Sequence, residues 1–155
     1  MRAVKEHWMK IQLSIEIGAP RQTVWNTVKD VRTHIRWMAD AKKIHLTSPQ
    51  PIGIGTTFDC ETRIGPLRTT DRMSITEWEE ARVMGIRHSG IITGQGRFLL
   101  TDNINGGTKF TWEEELHFPW WAGGFPAAGL ARVLLLRIWR KNLQELARIV
   151  ENGNV

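Results

Sequence analysis

The apolar positions of this chain change their period along its length, and the changes divide it into elements. From His7 to Ile17 they alternate. Met9, Ile11, Leu13, Ile15 and Ile17 face one way and Lys10, Gln12, Ser14 and Glu16 the other, which predicts a half-buried first strand. Ala19-Pro20 ends it, and proline suits the first turn of a helix. Val24, Trp25, Val28 and Val31 then predict a short helix over about Pro20 to Lys29, followed by a second short helical stretch with Ile35, Trp37 and Met38 as its apolar members. Alternation returns in six segments, Lys42–Ser48, Thr56–Ile64, Arg68–Trp78, Arg82–His88, Thr93–Asp102 and Thr108–Phe118. Pro49, Pro51, Gly53 and Gly55, then Gly65-Pro66, Glu79-Glu80 and Asn105-Gly106-Gly107 supply the loops and turns between them.

From about Pro126 to Val150 the period lengthens to that of a helix. Leu136, Trp139, Leu143, Leu146 and Val150 recur three and four apart, while Arg137, Arg140, Lys141, Gln144, Glu145, Arg148 and Glu151 occupy the other side. A long amphipathic helix after a run of strands buries its stripe on a sheet, so residues 1–155 read as one α+β domain closed by its last helix. The front of that helix breaks the pattern. Stepping the stripe back lands on Arg132, whereas Leu130, Val133 and Leu134 fall on the side that is polar further on. Two readings fit Arg132: a surface side chain whose stem lies along the fold, or one that looks into a cavity.

The spacing Ile17, Ala19-Pro20, Val24-Trp25, Val28, Asp30 and Trp37, with Gly53 to Phe58, Ile75 to Glu79, Gly106-Gly107-Thr108 and the closing helix, resembles the START-like, birch-pollen-allergen-like superfamily (SRPBCC), often labelled polyketide cyclase/dehydrase. The resemblance covers nearly the whole chain. It implies a helix-grip fold, in which a curved seven-stranded antiparallel sheet wraps a long C-terminal helix and encloses a cavity gated by loops and two short helices. The second half of the helix would then close the core and the first half border the cavity. That superfamily includes lipid carriers, hormone receptors, cyclases, dehydratases and partner-binding proteins, so it specifies the fold and leaves function open.

Composition narrows the classes. Hydrophobic residues at 41% and charged ones at 24% are ordinary for a globular domain, whereas eight Trp with no Tyr point to large apolar surfaces. A single cysteine, Cys60, excludes an internal disulfide; on an apolar strand face it reads as a small buried hydrophobe. The net charge of +5 is spread from end to end, with no basic run interleaved with aromatics, which argues against nucleic acid. No apolar run reaches the ~20 residues that span a bilayer, and Met1 to Lys10 does not resemble a signal sequence, so the cytoplasm is the expected location. His7, His34, His45, His88 and His117 are scattered and no Cys cluster exists, so neither a metal nor another cofactor is expected. The sequence does not fix the oligomeric state.

The candidate chemistry lies where charge falls on apolar faces. Glu114 shares strand parity with Phe110, Trp112, Leu116 and Phe118, and Asp71 with Met73 and Ile75. Either these positions are wet or shifted by a bulge, or Glu114, Asp71 and Arg132 form a polar cluster in an apolar pocket, with His88 close by. That pocket is expected to be lined by Phe58, Met73, Ile75, Phe98, Trp112 and the front of the helix as far as Leu136. Trp120, Trp121 and Phe125, beside Gly123-Gly124, read as a gate over its mouth, as a membrane-interface contact or as a plain cap on the core. Binding of an apolar small molecule is the first functional expectation. A cyclase or dehydratase using Glu114, Asp71 or His88 as acid or base is the second, and a regulator touching a membrane or a partner the third.

Overall fold

The computed structural model describes residues 8–118 and 124–153, with side chains in the last helix from residue 129 onward. The elements are β1 (Trp8–Ile17), α1 (Arg21–Val28), a 3-10 helix (Val31–Arg36), β2 (Ala41–Leu46), β3 (Thr57–Ile64), β4 (Leu67–Glu79), β5 (Val83–Ser89), β6 (Thr93–Asp102), β7 (Thr108–His117) and α2 (Gly124–Glu151). The strands form one antiparallel sheet in the order β1-β7-β6-β5-β4-β3-β2. β2 to β7 are a meander, and β1 joins at the far edge by pairing with β7 from Trp8↔His117 to Ile17↔Thr108. α1 and the 3-10 helix therefore carry the chain from one edge of the sheet to the other. This is the helix-grip arrangement that the resemblance implies.

The second short helical stretch corrects the sequence reading in one detail. Ile35, expected to point inward, is exposed, while Val31, His34 and Trp37 are buried. The helix is 3-10, with three residues per turn, so residues three apart eclipse and Val31, His34 and Trp37 line up inward. Asp30 caps it, its carboxylate accepting from the Arg32 backbone N–H at 3.0 Å.

α2 buries Leu135, Trp139, Asn142, Leu143, Leu146, Ala147, Ile149 and Val150. Side-chain bonds fix it against the sheet, two of them short. Glu151 accepts from the Gly18 backbone N–H at 2.7 Å, and Asn142 donates to Asp40 at 2.7 Å. The buried line runs back from Leu146 through Asn142, Trp139 and Leu135 to the partly buried Ala131, not from Leu136 to Arg132. The step of four between Leu135 and Ala131 puts Arg132 off the packed face, and Arg132 is exposed, like Leu130, Val133 and Leu134. Leu136 is only half-buried.

Candidate functional site

Between the sheet and α2 lies a cavity of about 100 Å³. Phe58 and Cys60 of β3, Met73 of β4, Ile86 of β5 and Phe98 of β6 give it an apolar floor, and Leu135 and Trp139 of α2 close it from above. Trp112 of β7 stacks on Trp139 with centroids 4.5 Å apart and planes 18° from parallel. Of the expected lining residues, Phe58, Asp71, Met73, His88, Phe98, Trp112 and Glu114 face this space. Ile75 does not. It is buried in the packed core, just before the bulge that shifts the β4 register between Ile75 and Glu77. Leu136 and Arg132 do not line it either. Trp120 and Trp121 lie outside the described residues, as does the side chain of Phe125.

The polar end of the cavity is built by three strands. Glu114 is buried on the inner face of β7, and its carboxylate accepts from Trp112 Nε1 at 2.9 Å and from His88 Nε2 at 3.2 Å. Trp112 is two residues back on the same strand, so parity alone brings it there. His88 is on β5, and β6 runs between. The two can meet because β6 offers Gly94 opposite His88 and Gly96 opposite Glu114. A Cβ at Gly96 would collide with the Glu114 carboxylate, so the glycine leaves the room through which the glutamate reaches across.

Asp71 has the same provision. A Cβ at Gly90 would strike its carboxylate, which accepts from Thr69 Oγ1 at 2.9 Å and from the Ile91 backbone N–H at 3.0 Å. Both carboxylates thus occupy the inner face, and neither a wet strand end nor a flipped register explains them. The direct partners of Glu114 are His88 and Trp112; exposed Arg132 makes no ion pair with it, although both border a groove beside the cavity. Burial acts to lower the His88 pKa, but the adjoining Glu114 carboxylate, its hydrogen bond and the charge of Asp71 together hold it above its ordinary value.

A second polar group escaped the sequence reading. Asp40, just before β2, lines the cavity and accepts from Trp139 Nε1 at 3.3 Å and Asn142 Nδ2 at 2.7 Å. Asn142 Oδ1 in turn accepts from the Ala39 backbone N–H at 3.0 Å. An asparagine inside an apolar helix stripe was the available signal, since a buried amide must find partners.

His34 also lines the cavity, with Nε2 2.7 Å from the Val28 carbonyl oxygen, to which it donates as the neutral imidazole. Burial pushes its pKa down to about 4 from 6.5, the bond to Val28 opposing only in part. Between those two values the unfolded chain takes up a proton that the folded chain refuses, so His34 makes stability fall as pH drops through that window, by at most ~3 kcal/mol. His34→Gln, which keeps an N–H for Val28, should shift the stability gap in the variant's favour by that order between pH 7 and 4 in urea titrations. A pH-independent gap would mean that folded His34 charges as readily as in the unfolded chain. Cys60 is no nucleophile: burial pushes its thiol up to about 11.

Among the described residues no group of three or more His, Cys, Asp or Glu is placed to hold a metal ion, and no helix is long and apolar enough to cross a membrane.

Curved sheet, gripped helix and the cavity between them define a helix-grip domain of the START-like class. The family model described as polyketide cyclase / dehydrase and lipid transport matches residues 9–151, and the chain belongs to that family. Solved structures agree on the fold. TTHA0849 from Thermus thermophilus superposes with a TM-score of 0.72 at 15% identity, covering 95% of this chain and 100% of that one. ZhuI aromatase/cyclase from Streptomyces sp. R1128 gives 0.66 at 15% identity, covering 95% and 93%. The di-domain aromatase/cyclase StfQ from the steffimycin biosynthetic pathway gives 0.79 at 10% identity, with 97% of this chain covered but only 53% of StfQ. No curated protein matches the chain by sequence.

Proposed function

We propose that the domain binds a small apolar molecule in the cavity between sheet and α2, oriented by Glu114, His88 and Asp71. The observation that carries this is a partly open space with aromatic and aliphatic walls and a few convergent polar groups, the usual make-up of a ligand site. A void in a core forfeits packing contacts, so one kept in a domain of this size is best explained by what enters it. Volume limits the guest. An engineered apolar cavity of roughly 150 Å³ takes benzene, and this one, at about 100 Å³, takes one ring once pliable Met38 and Met73 shift. A fused polycyclic ligand requires a wider opening.

Native mass spectrometry of protein purified from cells tests the proposal. A retained non-covalent adduct of low mass, lost when the cavity is filled by Ala41→Phe, supports it. An adduct that survives that substitution places the ligand elsewhere.

The His88–Glu114 contact favours a second reading, acid–base catalysis of the cyclase or dehydratase kind. An imidazole held above its ordinary pKa delivers a proton near neutral pH, and the carboxylate beside it would orient the ring and stabilise the imidazolium. On this reading Glu114 positions and His88 transfers the proton.

A further inference from the structure

The charges facing the cavity run against those of the whole chain. The protein carries 21 Lys and Arg against 16 Asp and Glu, yet the described residues that line the cavity include no Lys or Arg. Besides the Cys60 thiol, the ionisable groups there are Asp40, Asp71, Glu114, His34 and His88. His34 is committed as a neutral donor to the Val28 carbonyl and offsets nothing. His88 bonds to Glu114 and offsets one carboxylate of the three. The remaining bonds to these carboxyl groups come from neutral donors, two indole N–H, one amide, one hydroxyl and one backbone N–H. Three carboxyl groups thus face the cavity, with one imidazole bonded to one of them and no lysine or arginine among the described lining residues.

We infer that the cavity selects its ligand by charge, taking a small aromatic or alicyclic molecule that carries a protonated amine and turning carboxylates away. This rests on the proposal that the cavity binds a ligand at all, and adds the chemical class. Two independent features point the same way. The carboxylates supply acceptors at the rim, and Trp112, Trp139, Phe58 and Phe98 supply ring faces whose quadrupoles attract a cation. A ligand carboxylate would instead enter beside like charges with no lysine or arginine among the described lining residues, since Lys10, Arg97 and Arg132 line the separate groove that Glu114 also borders. A neutral hydroxyl falls between, since it can donate to a carboxylate but adds no charge.

The test uses four ligands sharing one ring, benzylamine, benzyl alcohol, benzoate and toluene, titrated calorimetrically into the full chain at pH 7. The inference predicts benzylamine at least tenfold tighter than benzyl alcohol, and benzoate without measurable binding. Asp71→Asn should shrink the ratio of benzylamine to benzyl alcohol affinity. Nonspecific attraction cannot mimic this order, because a chain of net charge +5 would draw benzoate to its surface. Binding of all four with equal affinity would overturn charge selection and leave the cavity reading intact. Benzoate tighter than benzylamine would overturn it likewise. Failure of all four, toluene included, would remove the binding proposal and this inference with it.

Discussion

Leu146→Ala should lower the free energy of unfolding by ~2–5 kcal/mol, the range for deleting a fully buried leucine side chain from a core that cannot collapse. Leu146 is 0% exposed, in a buried line with Leu143 and Val150. Collapse is restricted because α2 is tied at Asn142 to Asp40 and at Glu151 to Gly18, so the helix cannot settle into the space the lost isopropyl group leaves. Most of the loss should therefore persist as a void. Urea titration reads this as a fall in midpoint with the slope unchanged. Leu130→Ala is the control. At 73% exposed it should stay within ~0.5 kcal/mol of wild type. A loss of that small size at Leu146 would mean the packed face of α2 is misassigned.

Glu114→Gln should reverse the direction in which His88 couples stability to pH. In the wild type, burial alone would lower the His88 pKa, and it stands above its ordinary value of 6.5 because Glu114 and, less strongly, Asp71 favour the imidazolium. The stability this gives is fully present below the unfolded pKa and is lost as pH rises through the folded one. With glutamine in place, the hydrogen bond from Trp112 can persist, but burial is opposed by Asp71 alone. The folded pKa should then fall below 6.5, and His88 should cost stability as pH drops through that lowered value. Proton NMR of the His88 ring gives both pKa values directly. An unchanged titration in the variant would show that something other than Glu114 holds the imidazole charged.

The strands were legible because period-two alternation and glycine- or proline-rich turns are local signals. The predicted segments match β1 to β7 to within a residue or two at each end. Phase in the helices was harder. Leu134, Leu135 and Leu136 are consecutive, so apolar character alone cannot say which faces the sheet, and the wrong choice carried Arg132 onto the packed side. In the 3-10 helix the repeat is three, and a search at 3.6 credits Ile35 with burial that His34 has. The site was half legible. Glu114 and Asp71 betrayed themselves as charges on apolar faces, but the partner of Glu114 depends on which strands lie two apart in the sheet and on glycines between them. That is tertiary information, and no spacing along the chain encodes it.

The central claim is that the space between sheet and α2 admits an apolar guest. The most direct measurement is a crystal structure of the protein exposed to toluene, whose single neutral ring asks nothing of the acidic groups. The account predicts ring density bounded by Phe58, Trp112 and Trp139, with Met38 or Met73 in a new rotamer. A cavity still empty at saturating toluene, or density confined to the outer surface, would contradict it.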